Sequence, residues 1–339
     1  MKIVIDSMGG DHAPHAVIKG TIDALKETRG ELDVLLTGSE ELIRKELSAA
    51  DFTSEHLEIH HTTQQVEMTD PPSQVVKKKP DSSLVTGIRL VRDGIGAAFV
   101  SAGSTGAVLS SALFLLGRIE GVLRPALGVY FPVRPRGLVL CDIGANVEAK
   151  PRHFLQFAIM ASEYIKHIWE VEYPRIGLLN IGVEPTKGTD VYLEVHKLLK
   201  NNLPNFRGNI ESRHLLDGLV DVAVCDGFVG NTLVKFAEGW IGHVRQAVFR
   251  QLDKTGPPAA DKKILSNLFT QVMREYEYEE YGGVPLLGVN GICIVCHGSS
   301  PRRAIKNAIL AARKSVEEHL VESIREDISS TVSLLKSSR

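Results

Sequence analysis

Six times along the chain a short apolar run ends in one polar residue and a glycine-bearing turn. The runs are Val4-Ile5-Asp6-Ser7-Met8-Gly9-Gly10, Phe99-Val100-Ser101-Ala102-Gly103, Val139-Leu140-Cys141-Asp142-Ile143-Gly144, Leu178-Leu179-Asn180-Ile181-Gly182, Val224-Cys225-Asp226-Gly227 and Val295-Cys296-His297-Gly298. Apolar runs bounded by glycine and separated by segments of helical period predict buried parallel strands in βαβ units. In such sheets ligands bind outside the carboxyl ends of the strands. Asp6, Ser101, Asp142, Asn180, Asp226 and His297 are therefore expected on one rim.

The intervening segments carry helix signals. Val17, Ile18, Thr21, Ile22 and Leu25 follow Pro14 at helical spacing, and Ser82 and Ser83 precede Leu84, Val85, Ile88 and Val91 as candidate caps. Residues 94–117 hold no charge, but Ser101 to Gly106 interrupts them, which predicts strand, tight turn and helix in place of a membrane span. From Phe154 to Trp169 the apolar residues nearly encircle a helix, so it is expected between the sheet and a partner. Leu233, Phe236, Trp240, Ile241, Val244 and Val248 form one helical stripe, and Ile264, Leu265, Leu268, Phe269, Val272, Met273 and Tyr276 form a second after Thr255-Gly256-Pro257-Pro258. Two such stripes joined by a turn predict a helical hairpin at 231–281, packed in the core or at a dimer interface, or else touching a membrane. The expected organisation is a single α/β domain over 1–325 with this insertion, then a polar C-terminal tail at 326–339.

The 339 residues are 43% hydrophobic and 24% charged, enough for a large core, and the net charge of −2 leaves no basic footprint for nucleic acid. Four cysteines in apolar strand-like runs, with no secretory leader pattern, fit reduced thiols in a cytoplasmic protein. No metal is expected. Cys293-x-x-Cys296 lacks a second pair, and strand alternation sends the two side chains to different environments, while His56, His60 and His61 read as surface or edge residues. Gly94-Ile95-Gly96 precedes a strand and lacks a third glycine, so a nicotinamide cofactor has no fingerprint here.

Anion chemistry is better supplied. Ser104, Thr105 and Gly106 join a strand to a helix, where backbone N–H groups and the helix dipole favour a phosphate-like guest; the same loop serves equally as a plain turn. In Asn180-Ile181-Gly182-Val183-Glu184-Pro185-Thr186-Lys187-Gly188, Lys187 is either a solvated loop lysine or a point charge for phosphate. Asn231, after Asp226 and Gly227, is either a helix cap or an oxyanion donor. His297 and Ser299 stand at a second strand-to-helix junction. Lys77-Lys78-Lys79 is a basic run that reads as a solvated face or an anion contact.

These motifs, in this order and over nearly the whole chain, resemble the phosphate acyltransferase family of bacterial phospholipid synthesis, PlsX. The resemblance rests on Asp6 to Pro14, Ser101 to Ala107, Asp142 to Asn146, Asn180 to Gly188, Asp226 to Asn231, and Leu287 to Gly291 with His297 to Ser300. It implies a Rossmann-like, three-layer, doubly wound and mostly parallel sheet similar to isocitrate and isopropylmalate dehydrogenases, without their cofactor. It also implies transfer of an acyl group from acyl carrier protein to inorganic phosphate, a homodimer built through the hairpin, peripheral membrane contact and a downstream membrane acyltransferase as partner. On that basis Lys187, Asn231 and Asn180 are the expected catalytic residues. Ser104, Thr105, Gly106, Asp6, Asp142, Asn146, Glu184, Asp226, Gly227, His297 and Ser299 are expected to hold or orient substrate. Ser104, Pro71 and Lys77 stand where the family usually has Asn, Glu and Arg. A phosphotransacetylase-like enzyme using a coenzyme A thioester, or a non-catalytic dimeric scaffold, are the alternatives.

Overall fold

The computed structural model describes residues 1–339 apart from 134–136, 257, 275–279 and 338–339. In the first half β1 (Lys2–Asp6), α1 (His15–Thr28), β2 (Asp33–Gly38), α2 (Glu40–Ala49) and β3 (Leu57–His61) alternate. A 3-10 turn (Pro72–Gln74), α3 (Val75–Lys78), α4 (Ser83–Arg92), β4 (Ala98–Ser101) and α5 (Thr105–Leu115) complete it. Then come β5 (Ala126–Phe131), β6 (Leu138–Cys141), α6 (Pro151–Trp169), β7 (Ile176–Leu179), α7 (Asp190–Asn202), β8 (Phe206–Ile210) and β9 (Val222–Val224). The long helices α8 (Gly227–Thr255) and α9 (Ala259–Arg274) precede β10 (Val284–Leu287), β11 (Ile292–Val295), α10 (Arg302–Glu317) and α11 (Leu320–Ser337).

The strands form one mostly parallel sheet in the order β3-β2-β1-β4-β11-β10-β5-β6-β9-β7-β8. Helices lie on both faces, as expected for a doubly wound α/β protein. Strand alternation divides the core. Ile3 and Ile5, Ala98 and Val100, and Val222 and Val224 all point to one face, where they join α1, α6 and α10 in a continuous cluster. On the opposite face the cover is split. Val4, Phe99 and Cys293 pack with α4 and α5, whereas Leu140, Ala223 and Cys225 form a second cluster near the start of α8. The two divide at β5, where Leu127 belongs with Leu286 of β10 to the first cluster and Val129 packs on the second.

The expectation of a single rim needs correction. β10 is antiparallel to both β11 and β5, and β5 is antiparallel to β6, so the parallel strands of the two halves run in opposite directions. Asp6, Ser101 and His297 end one set, while Asp142, Asn180 and Asp226 end the other. With about 20–25° of twist between neighbours, the four steps from β4 to β6 turn the strand axis by roughly a right angle. The two sets of loops thereby approach each other across the middle strands.

Local signals held elsewhere. Ser82 caps α4, its hydroxyl accepting from the Val85 amide at 3.4 Å, and α6 is buried nearly all round. Cys293 and Cys296 do face different clusters, and burial pushes both thiols up to about 12. His60 and His61 lie on β3 at the sheet edge. No described helix is long and apolar enough to cross a membrane. The hairpin begins earlier than the predicted 231, because Asp226 caps α8, and its expected core stripe is not core within this chain. No residue of α8 beyond Gly230 is buried, and Phe236, Trp240, Ile264 and Leu268 are each more than half exposed. The two helices touch through the edge-to-face pair Phe249 and Phe269; Tyr276 lies outside the described residues.

The stretch expected as a polar tail from 326 continues α11 as far as Ser337. Ile324 and Ile328, one helical turn apart, are buried in the shared core, and α11 packs on α6. Helix α11 therefore ties the end of the chain to the second half of the sheet. Ile328→Ala should lower the unfolding free energy by about 2–4 kcal/mol. An unchanged denaturant midpoint would show that this helix does not contribute to the core.

Candidate active site

At the carboxyl ends of β1, β4 and β11 the loops are fastened by a buried carboxylate. Asp6 accepts from the Met8 amide at 3.2 Å and from the Ser101 hydroxyl at 2.7 Å, and the Ser101 oxygen accepts from the Gly103 amide at 3.0 Å. Burial raises the Asp6 pKa above the ordinary carboxyl value, against the pull of these hydrogen bonds. The packing demands glycine: a Cβ on Gly9 would sit 2.6 Å from Asp6 Oδ2 and 2.7 Å from the Gly103 nitrogen. The Asp11 amide donates to the Gly298 carbonyl at 2.7 Å, which adds the His297 loop to the cluster. His297 Nδ1 lies 2.8 Å from the Ser299 hydroxyl and accepts from the Ser299 amide at 3.3 Å. Ser104 caps α5, accepting from the Ala107 amide at 3.4 Å; Thr105 and Gly106 open that helix.

A second buried carboxylate organises the other half. Asp142 is fully buried, and its Oδ1 accepts from the amides of Leu127 at 3.0 Å, Gly144 at 3.3 Å and Ala145 at 3.1 Å. Its Oδ2 accepts from the Asn146 amide at 2.7 Å and from the Asn146 side chain at 3.0 Å. Asn146 in turn receives the Gly227 amide on its carbonyl at 2.8 Å. Asp226 caps α8 through the Val229 amide at 2.9 Å, and its other oxygen accepts from the Tyr192 hydroxyl at 2.7 Å. A side chain on Gly230 would collide with the Asp142 carbonyl oxygen, so the first turn of α8 lies directly on the Asp142 loop. These acids are braces, and none of their oxygens is presented as a reagent.

Between the two braced clusters is a cavity of about 380 Å³. Leu127 and Val129 of β5, Val284 of β10 and Val295 of β11 form an apolar floor. Thr105 and Gly106 border it from the first turn of α5, Gly144 from the Asp142 loop, Gly227 and Asn231 from α8, and His297 from the end of β11. Two helix N-termini thus face one space; Thr105 and Gly106 open α5, whereas in α8 the Gly227 and Val229 amides are already taken by the Asn146 carbonyl and Asp226, which leaves the α5 terminus the better placed for an anion. Above an apolar floor, that arrangement suits a guest with one anionic and one apolar part.

Residues 1–323 match the family model described as "Fatty acid synthesis protein". The phosphate acyltransferase of Pelotomaculum thermopropionicum is 46% identical over 330 residues, which is 97% of this chain and 96% of that one. That of Desulforamulus reducens is 43% identical over 328 residues, 97% of each. The chain belongs to the phosphate acyltransferase family. It is an enzyme that transfers an acyl group to phosphate. Among solved structures, a phosphotransacetylase from Streptococcus pyogenes shares the fold with a TM-score of 0.61 at 18% identity, covering 94% of each chain. The EutD phosphotransacetylase from Staphylococcus aureus does so at 0.61 and 14%, over 93% of this chain and 94% of that one.

Set against a phosphate acyltransferase's needs, the expected residues fall into three groups. Thr105, Gly106, Gly227, Asn231 and His297 converge on the cavity. Asp6, Asp142, Asn146, Asp226, Ser104 and Ser299 hold the loops that form it. Asn180, Glu184 and Lys187 line no part of it. Asn180 donates to the Lys187 carbonyl at 3.0 Å and accepts from the Ile181 amide at 2.8 Å, so its amide shapes its own loop. Glu184 and Lys187 are exposed on that loop.

The cavity also holds a cation that sequence reading missed. Lys235 lines it one helical turn after Asn231, paired with Glu238 at 2.8 Å. The signal was present in the i, i+4 spacing of Asn231 and Lys235, but an apolar stripe on the same helix drew the reading to another face. Asp142→Asn should cost about 2–4 kcal/mol in stability, because an amide nitrogen would face the Asn146 donors. Unaltered urea unfolding of that variant would remove the bracing role.

Proposed function

We propose that this enzyme moves a fatty acyl group from acyl carrier protein to inorganic phosphate, releasing acyl phosphate and free carrier for phospholipid synthesis. The observation that supports this most directly is the cavity in which Thr105, Gly106, Asn231, Lys235 and His297 stand over an apolar floor. A phosphate oxygen attacks the thioester carbonyl carbon, forming a C–O bond while the carbonyl electron pair moves to oxygen. Collapse of that tetrahedral oxyanion re-forms the carbonyl and breaks the C–S bond, whose electron pair leaves with sulfur. The thiolate then takes up a proton, either from the phosphate group's remaining O–H or from water.

Phosphate near neutral pH is already anionic, so positioning and charge stabilisation dominate over base catalysis. In this reading the first-turn amides of α5 and the Thr105 hydroxyl hold phosphate. The Asn231 amide donates to the oxyanion, Lys235 offsets the gathered charge, and His297 Nε2–H donates from the opposite side. A simple thiol has a pKa near ~8.5, so the leaving group departs without a dedicated acid. Asn231→Ala should cut turnover about a hundredfold to a thousandfold while leaving the circular dichroism spectrum intact. Lys235→Ala should raise the KM for phosphate, and Lys187→Ala should do so only weakly. A large loss confined to Lys187→Ala would move the anion site to the 181–188 loop. The donor is decided by comparing carrier-protein and coenzyme A thioesters of the same chain, with the carrier thioester expected to react at the lower KM.

The exposed apolar faces of α8 and α9 support a homodimer joined through the hairpin, with its tip in peripheral contact with a membrane and its downstream acyltransferase. Leu265→Glu together with Leu268→Glu should abolish flotation with liposomes or shift the sedimentation coefficient. A double variant that changes neither would leave this face without either role.

A further inference from the structure

A second cavity, of about 700 Å³, lies on the other side of α8. At 100° per residue, Asn231, Lys235 and Glu238 point from α8 into the first cavity, whereas Thr232, Leu233 and Phe236 point into the second. Phe228, in the first turn of α8, lines both. The helix is therefore a shared wall, and Phe228 marks where the two spaces adjoin.

The two linings differ in chemistry. Leu179, Ile181, Val229, Leu233, Phe228 and Phe236 dominate the second cavity, and among the described residues no charged side chain borders it. Three of its five polar side chains spend their hydrogen bonds within the protein: Asn180 on its own loop, Tyr192 on Asp226, and Thr232 on the Phe228 carbonyl at 2.8 Å. A space of this size, mostly apolar and with Thr189 and Ser212 as its remaining polar side chains, rewards an apolar guest.

We infer that this second cavity binds the alkyl chain of the acyl donor and sets the chain length the enzyme accepts. The inference rests on the acyl-transfer reading above. With the carbonyl beside Asn231, the smaller cavity holds phosphate, the reacting atoms and the first methylenes over its apolar floor, and the rest of the chain leaves past Phe228 into the larger one. Each methylene that enters should then lower KM by roughly fourfold until the space is filled.

The test is a series of straight-chain carrier-protein thioesters from four to eighteen carbons, assayed for acyl phosphate. The unaltered enzyme should show KM falling with length to a plateau. Thr232→Trp, which fills the cavity from an exposed helix position, should lower kcat/KM at least tenfold for sixteen carbons and leave the four-carbon donor unaffected. Phe236→Ala should carry the plateau to longer chains. A length profile that neither variant alters would overturn the inference while leaving the reaction standing. Dissociation of a dimer by Thr232→Trp, without a change in length preference, would overturn it in favour of a second copy of the chain as the occupant. Absence of acyl phosphate from every donor would overturn the reaction itself, and the inference with it.

Discussion

Everything at the site depends on how the two faces of the sheet are covered. One face is sealed from end to end by a single apolar cluster that reaches α1, α6, α10 and α11. The other carries two clusters that divide at β5. Burying both faces completely would have yielded more hydrophobic stabilisation, at about 25 cal/mol per Å², but would have left no pocket. The candidate cavity lies where the two clusters divide, floored by Leu127, Val129, Val284 and Val295.

A gap in a core must be kept open, and here two buried carboxylates do so. Asp142 binds five N–H groups across β5, its own loop and Asn146, while Asp6 joins β1 to the loop before α5 through Ser101. Charged groups are expensive to bury, and these are tolerated because their oxygens are met by donors fixed in the backbone. Their effect is to fix the loops that carry the first turns of α5 and α8 at the border of the cavity. Glycines at 9, 227 and 230 belong to the same device, since the backbones approach too closely for a side chain. The acidic residues at these strand ends thus act on the loops around them by geometry.

Helix α8 is where fold and function become inseparable. Its first turn rests on the Asp142 loop, its next turns separate two cavities of unlike polarity, and its remaining length stands clear of the sheet with apolar side chains exposed. A helix apolar on several faces is usually core, which is why its stripe read so in the sequence. Among the described residues it is only partly covered, by α9.

Most of the fold could be read directly from the amino-acid order. Strand ends, caps and turns follow from a few neighbouring residues: an apolar run, a polar closer and a glycine, or Ser82 before Leu84. Even the separate surroundings of Cys293 and Cys296 follow from strand alternation. About half of the candidate site was legible in the same way, because Thr105, Gly106, Asn231 and His297 sit at junctions that local pattern marks. What the order of residues left open was which junctions meet. Three antiparallel pairings in the middle of the sheet reverse the second half, and the accumulated twist brings its loops to those of the first. Strand direction and twist are products of long-range pairing. For that reason Lys235 entered the cavity, Lys187 stayed on an outer loop, and the supposed tail continued a helix anchored in the core by Ile328, outcomes that only the tertiary structure could decide.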